Sequence, residues 1–340
     1  MKVEDFNYEL DNSLIAQTPL LDRSSSKLMI LNKNTGEIKH EIFTNIIDYL
    51  NDNDVLVIND TKVIPARLVG SKEGTGAVIE LLLLQEITND EWECLAKPTK
   101  RLNVGTVICF KEKLKAEVKE IIGEGIVVVK LLYQGILLEI LDELGEMPLP
   151  PYIHEKLTQK DRYQTVYAKN IGSAAAPTAG FHFTDELLTK IQEKNIQIVN
   201  VTLHVGLGTF RPVQVEDIMN HEMHSEFYQM NENAASILNQ AKKSGKRIIA
   251  VGTTTTRVLE TIMSEYHEFK KCFGNTKIFI YPGYKFRAID ALITNFHLPK
   301  STLLMLVSAF STKEIILKAY KEAIKNNYRF FSFGDAMFIK

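Results

Sequence analysis

The sequence predicts an α/β protein: a mixed, largely parallel sheet flanked by helices, with a small β-barrel inserted into it. Three observations carry this. From residue 185 to the end, helical spacing alternates with short apolar runs, the signature of helices packed on a sheet. Between residues 68 and 147, short β-rich runs follow one another, and no long helix interrupts them. Strand-like runs also precede residue 68, so the α/β layer is built from both ends of the chain. The expected division is 1–67 with 148–340 as one discontinuous domain and 68–147 as the inserted barrel.

In chain order, Leu28–Leu31 reads as a strand, Asn34-Thr35-Gly36 as a turn and Phe43–Leu50 as a helical segment. Asp54–Ile58 is a strand that ends on Asn59-Asp60-Thr61. Five β-rich runs follow: Ala77–Leu84, Glu91–Leu95, Gly105–Phe110, Leu114–Ile122 and Gly125–Leu132. Ile136–Leu144 reads as a helix stopped by Gly145, and Pro148, Pro150 and Pro151 then make a stiff connector. The stretch Gly172–Thr184 is rich in small residues. Thr184 can cap a helix over Asp185–Lys194. Then come a strand (Ile196–His204), a helix (Asn231–Ser244), a strand (Arg247–Val251), a helix (Arg257–Tyr266) and two strands (Lys277–Tyr281, Ala288–Thr294). Ser301 is placed to cap the apolar run Leu303–Val307, and Ser311-Thr312-Lys313-Glu314 to open a last helix to about Asn326.

Composition narrows the function classes. The 340 residues are 45% hydrophobic and 24% charged, as in ordinary globular chains. No run approaches the roughly 20 apolar residues of a membrane span, and the N-terminus lacks a signal-peptide core. Cys94, Cys109 and Cys272 lie far apart, which argues against disulfides or a zinc knuckle and fits a reducing cytoplasm. A net charge of −2 excludes overall basicity but not a local basic patch.

Polar clusters follow several strands. Asp60 stands past one; His204 to Arg211, Gly252 to Arg257, Tyr281 to Tyr284 and Asn295 to Pro299 stand past others. Loops after parallel strands share one edge of a sheet, where α/β proteins bind ligands. The string Gly252-Thr253-Thr254-Thr255-Thr256-Arg257 offers hydroxyls and N–H groups to a ligand but lacks the ending of a nucleotide P-loop. Gly206 to Arg211 lacks the third glycine of a dinucleotide loop. His221 and His224 are three apart, so the four-residue helical pairing of a zincin fails. If extended, His224 and Glu226 share a face. Gly172–Thr184 is either one wall of the resulting cleft or a buried connector.

Together these strings resemble the S-adenosylmethionine:tRNA ribosyltransferase-isomerase family of queuosine biosynthesis. The matching segments are Val57–Arg67, Met147–Ile153, Arg162–Ala168, Gly172–Thr184, Leu203–Pro212, Met223–Phe227, Gly252–Glu260, Ile278–Gly283, Asp290–Phe310 and Tyr328–Ile339. They cover nearly the whole chain in order. Lys27 and Lys62 depart from the arginines the family leads one to expect, and lysine cannot make arginine's bidentate contacts.

The resemblance implies a reaction. The ribosyl part of S-adenosylmethionine passes to the aminomethyl group of a 7-deazaguanine at the tRNA wobble position. Epoxyqueuosine forms, and adenine and methionine leave. S-adenosylmethionine is then a consumed substrate, with no cofactor and no metal. On this reading Asp60, His182, His224 and Glu226 are the acid–base candidates. Arg67, Thr178, His204, Thr253, Thr254, Arg257, Tyr281, Asn295 and His297 are the substrate-binding candidates. Lys97, Lys100, Arg101, Lys285 and Arg287 are the candidates for tRNA phosphates. The expected partners are the deazaguanine-bearing tRNA and S-adenosylmethionine, with the chain acting as a cytoplasmic monomer and touching no membrane. Two other classes remain open on the residues alone: a tRNA- or nucleotide-binding module without catalysis, and a metal hydrolase using the histidines.

Overall fold

The structure, a computed structural model, describes residues 1–155, 157, 159–206 and 213–340. Four strands form the centre of a nine-stranded sheet: β12 (Gln197–Leu203), β3 (Asp54–Asn59), β14 (Arg247–Val251) and β16 (Ala291–Asn295), in that order and all parallel. They read as nearly continuous apolar runs because both faces are covered. Their side chains alternate between two cores, as the strand period of two requires. Val55 and Val57 join the core with α3 (Glu232–Lys243), α4 (Gly252–Tyr266), α5 (Thr302–Phe310) and α6 (Lys313–Lys325). Leu56 and Ile58 join the other, with α2 (Asp185–Glu193) and the 3₁₀ turn Phe43–Tyr49.

The sheet is mixed, and its parallel part is narrower than the sequence implies. Besides the four central strands, only β1 (Lys27–Leu31) and β17 (Ala336–Ile339) pair in parallel. The other pairings are antiparallel: β16 with β17, β1 with β2 (Ile38–Ile42), β12 with β13 (Glu226–Met230), and β13 with β15 (Cys272–Thr276). Strands β2, β13 and β15 lie at or next to the edges and leave side chains exposed, so they carry no continuous apolar run to announce them. The strand expected over Lys277–Tyr281 is a correction of this kind. Pairing stops at Thr276, and the segment after it is irregular.

Residues 67–133 form a closed, all-antiparallel barrel of six strands: β5 (Arg67–Lys72), β6 (Val78–Thr88), β7 (Glu91–Lys97), β8 (Val107–Phe110), β9 (Leu114–Gly123) and β10 (Ile126–Tyr133). Closure leaves no open sheet edge. Its interior is a core of its own, capped by Ile140 and Leu141 of α1 (Leu137–Leu144). A two-stranded parallel ribbon, β4 (Thr61–Val63) with β11 (Asn170–Ser173), ties the end of β3 to the small-residue stretch. Thr184, Ser301 and Thr312 each accept a hydrogen bond from the backbone two or three residues into the following helix, as their sequence contexts predict. Ser311 is not part of that last cap; its hydroxyl donates to Lys33 O instead. Among the described residues, no helix is long and apolar enough to cross a membrane.

Candidate functional site

Because β12, β3, β14 and β16 run parallel, their carboxyl ends share one edge of the sheet, and a cleft opens there. One wall is Ala176, Pro177, Thr178 and Ala179 of the small-residue stretch. Gly252, Thr253 and Thr254 form a second wall, and Thr294, Asn295 and His297 a third. Tyr152, Phe331 and Ser332 close it from the connector and the C-terminal segment.

The threonine string is helix, not loop. α4 begins at Gly252 itself, five residues before the expected start. Gly252 has a φ of +89°, which lets the chain turn from β14 directly into the helix. Thr255 and Thr256 donate their hydroxyls to Val251 O and Gly252 O, at 2.6 and 3.1 Å, and so face into their own helix. Thr254 is buried and borders the cleft, and its Oγ1 has no hydrogen-bond partner among the described residues. The first turn of a helix also carries N–H groups without intrahelical partners. The cleft wall is therefore a cluster of donors at the positive end of a helix.

On the opposite wall a chain of hydrogen bonds runs inward. Thr178 Oγ1 donates to Asn295 Oδ1 at 3.0 Å, and Asn295 Nδ2 donates to His182 Nε2 at 3.2 Å. Nδ1 is then the protonated nitrogen and donates to Ser26 Oγ at 2.7 Å. The ring stacks on Phe43. Burial, with the charges of Arg329 and Arg23, holds the His182 pKa down at about 3. His182 is thus a neutral, fully engaged ring. Nε2 faces the Asn295 amide and Nδ1 the Ser26 hydroxyl, so both ring nitrogens have partners. His297 is also buried and neutral, its pKa lowered to about 3 by desolvation. Its Nε2 lies 3.1 Å from Thr294 Oγ1, and its backbone N–H donates to Tyr320 Oη at 2.9 Å.

Two other candidates pair with each other. Glu226 and Arg257, each 3% exposed at the side chain, form a buried ion pair between β13 and α4. Glu226 Oε1 also accepts from Gly206 N–H at 3.1 Å. The carboxylate is thus committed to holding β13, α4 and the end of β12 together. Arg257 keeps Nε and Nη2 buried without a partner among the described residues. Asp60 is equally committed. Its Oδ1 accepts from Thr202 Oγ1 at 2.7 Å and from Asn170 Nδ2 at 2.9 Å, and its carbonyl accepts from Lys169 N and Asn170 N. His204 stacks on Phe227 and meets Thr61 Oγ1 through Nδ1 at 2.8 Å. Gly172 makes room for that ring: a Cβ there would lie 2.8 Å from His204 Nε2. Burial lowers the His204 pKa, against the raising effect of the Asp60 charge.

The structure thus brings Thr178, Thr253, Thr254, Asn295 and His297 to one cleft, while Asp60, His182, His204, Glu226 and Arg257 sit around it as engaged groups. His224 is exposed. Tyr281 packs on Phe279 away from the cleft walls, because the segment holding it does not continue a sheet strand. Arg67 lies on the barrel and pairs with Glu80 at 2.8 Å. Lys97, Lys100 and Arg101 are exposed on a barrel turn, and Lys285 and Arg287 on the loop before β16. Leu207–Pro212, which include most of the string after His204, lie outside the described residues. Among the described residues no three His, Cys, Asp or Glu side chains are grouped to hold a metal ion, and His221 packs edge-on against Phe279.

Sequence reasoning missed Ser26, and it also missed Tyr152, Phe331 and Ser332 although these three stood in the matching segments Met147–Ile153 and Tyr328–Ile339. It also missed the role of Glu260, although the residue stood in a matching string. This buried carboxylate on α4 accepts from the N–H groups of Arg287, Ala288 and Ile289 and from Tyr284 Oη, which shapes the loop before β16. Burial raises its pKa, and these donors oppose the rise.

The profile of a family described as "Queuosine biosynthesis protein" matches residues 3–339. A protein of Staphylococcus haemolyticus (strain JCSC1435) named S-adenosylmethionine:tRNA ribosyltransferase-isomerase is 62% identical over 340 residues, 100% of either chain. One of the same name from Staphylococcus aureus (strain JH9) is 59% identical over the same span, again 100% of either chain. Among solved structures, the crystal structure of S-adenosylmethionine tRNA ribosyltransferase from Thermotoga maritima is 39% identical. That match covers 99% of this chain and 100% of that one, with a TM-score of 0.58.

Proposed function

The chain belongs to the queuosine biosynthesis protein family, and from that premise we infer that it is a transferase-isomerase acting on S-adenosylmethionine and tRNA. The observation that carries this is the end-to-end match with relatives named for that reaction. In the reaction, the bond from the ribosyl group to adenine and the bond to sulfur break. A bond from the ribosyl carbon to the aminomethyl nitrogen of the wobble 7-deazaguanine forms, an epoxide closes, and adenine and methionine leave.

The cleft's chemistry fits a zwitterionic, sulfonium-bearing nucleoside. The methionyl carboxylate belongs at the start of α4, where the open N–H groups, the Thr254 hydroxyl and the helix dipole favour an anion. Arg257, one turn further on, has two donor nitrogens to spare and adds positive charge behind that point. Tyr152 and Phe331, which border the cleft, are the aromatic rings for the sulfonium. Thr178 and Asn295 hold the nucleoside, and His182 acts as a positioning residue that fixes the Asn295 amide. Asp60 and Glu226 serve as the fastenings that keep β11, β12, β13 and α4 in register around the cleft. The exposed Lys97, Lys100, Arg101, Lys285 and Arg287 suit the outer phosphates of the tRNA.

The test is incubation with S-adenosylmethionine labelled separately in the ribosyl and methyl groups, together with tRNA carrying the aminomethyl-deazaguanine. Ribosyl label is expected in tRNA and methyl label in free methionine. Methyl label retained on tRNA would sink the reading.

A further inference from the structure

A second, smaller cleft adjoins the first: Ser332 borders both, and His182 borders the smaller one while reaching Asn295 in the larger. Arg23 and Arg162 line it beside Pro19 and Phe181. Arg23 donates to Gln164 O at 2.6 Å and Asp161 O at 3.0 Å, and lies over the Phe181 ring. Arg162 donates to Leu21 O at 3.2 Å and to Leu20 O. Arg329, whose charge also reaches His182, donates to Thr18 O. All of these partners are backbone carbonyls of residues 18–21 and 161–164.

None of the three guanidinium groups forms an ion pair with a carboxylate among the described residues. Arg162 Nε and Arg329 Nη1 are buried and have no hydrogen-bond partner among the described residues. Burial and then the charge of Arg162 disfavour the charge on Arg23, while Asp161 and Asp185 favour it; burial disfavours the charge on Arg329, and Asp335 favours it. A guanidinium with unused N–H groups and no direct carboxylate partner is suited to an oxyanion, which it can receive in two-pronged fashion. The methionyl carboxylate already has its place at α4 in the larger cleft. The anion that must lie beside a reacting nucleotide is the backbone phosphate next to it.

We propose that Arg23, Arg162 and Arg329 form a subsite for one tRNA backbone phosphate flanking the nucleotide that reacts in the main cleft. This rests on the reading that the main cleft takes S-adenosylmethionine and the wobble base. The carbonyl bonds then have a purpose: they hold the forks in place before the RNA arrives.

The experiment measures binding of the deazaguanine-bearing tRNA across a salt series, with Arg162→Gln and Arg23→Gln against the unaltered protein. Each folded variant should weaken tRNA binding about tenfold or more at low salt. The slope of log affinity against log salt should become shallower by roughly 0.7–0.9. S-adenosylmethionine affinity should change less than about twofold. A loss of S-adenosylmethionine affinity with an unchanged salt slope would assign the arginines to that substrate's carboxylate and overturn the proposal. So would unchanged binding of both ligands, which would leave the arginines as loop ties only. A second arm needs no variant. The unaltered protein is offered an anticodon stem-loop in which one or other phosphate flanking the wobble nucleotide is a neutral methylphosphonate. One of the two should lose about tenfold in affinity, and no loss at either overturns the proposal. Free inorganic phosphate, titrated in parallel, should compete with the stem-loop; if it binds without competing, the site takes free anions and the proposal falls. Ribosyl transfer by the unaltered protein, run alongside, separates failure of this subsite from failure of the proposed reaction.

Discussion

At the scale of residues, several of the chemically suggestive side chains around the cleft are engaged with one another. Glu226 and Arg257 show this best. Read along the chain, one is an acid–base candidate beside His224 and the other a donor after a threonine string. Folded, they neutralise each other in a buried pair. Removing one partner of such a pair leaves an uncompensated charge and costs about 3–5 kcal/mol, whereas replacing both by apolar residues costs far less. Glu226→Ala should therefore lower unfolding free energy by that amount in urea titrations, and the double variant Glu226→Leu with Arg257→Met should recover most of it. A single variant within about 1 kcal/mol of the parent would show that the pair does not carry this weight. The pairing was not legible in the sequence, because 31 positions separate the partners and only the folded sheet brings them together.

At the scale of elements, local patterns were legible wherever burial is symmetric or a cap is present. The central strands, the barrel runs and the caps at Thr184, Ser301 and Thr312 follow from apolar runs and hydroxyl placement. What failed were edge strands, whose half-exposed side chains give a weak signal, and the first turn of α4. There Gly252 and four threonines read as a loop, since threonine is a mediocre helix former and glycine a poor one. Burial overrides that propensity, and the positive φ at Gly252 makes the abrupt turn possible. Gly252→Ala should cost about 1–2 kcal/mol from the forced left-handed backbone. By displacing the helix start it should also weaken S-adenosylmethionine binding roughly tenfold, which calorimetric titration of the folded variant would read. Unchanged affinity would remove the α4 N-terminus from the site.

For the whole molecule, the burial of neutral histidines sets how stability varies with acidity. His182 and His297 hold folded-state pKa values near 3, while an unfolded histidine titrates at about 6.5. Between those values the unfolded chain binds more protons. Their contribution is therefore complete above pH 6.5 and is lost as pH falls toward 3, at up to about 1.4 kcal/mol per pH unit for each ring. Glu260 and Asp335, raised by burial, work the other way: each favours the fold below its unfolded pKa and loses that contribution as pH rises through its folded value. The melting temperature of the protein should fall between pH 6.5 and 4, and His297→Asn should flatten that fall. An equal slope in parent and variant would exclude the linkage for His297. Sequence by itself determined the α/β class, the inserted barrel-like stretch, the strand ends where a ligand would gather and the family resemblance, because apolar periodicity, capping residues and strand-end polar clusters are local in the chain. Only the tertiary structure decided which of those polar groups stay open to the cleft and which are consumed. Hydrogen bonds such as Ser26 to His182, Thr178 to Asn295 and Gly206 to Glu226 form across sheet and loop, between residues that no local pattern relates.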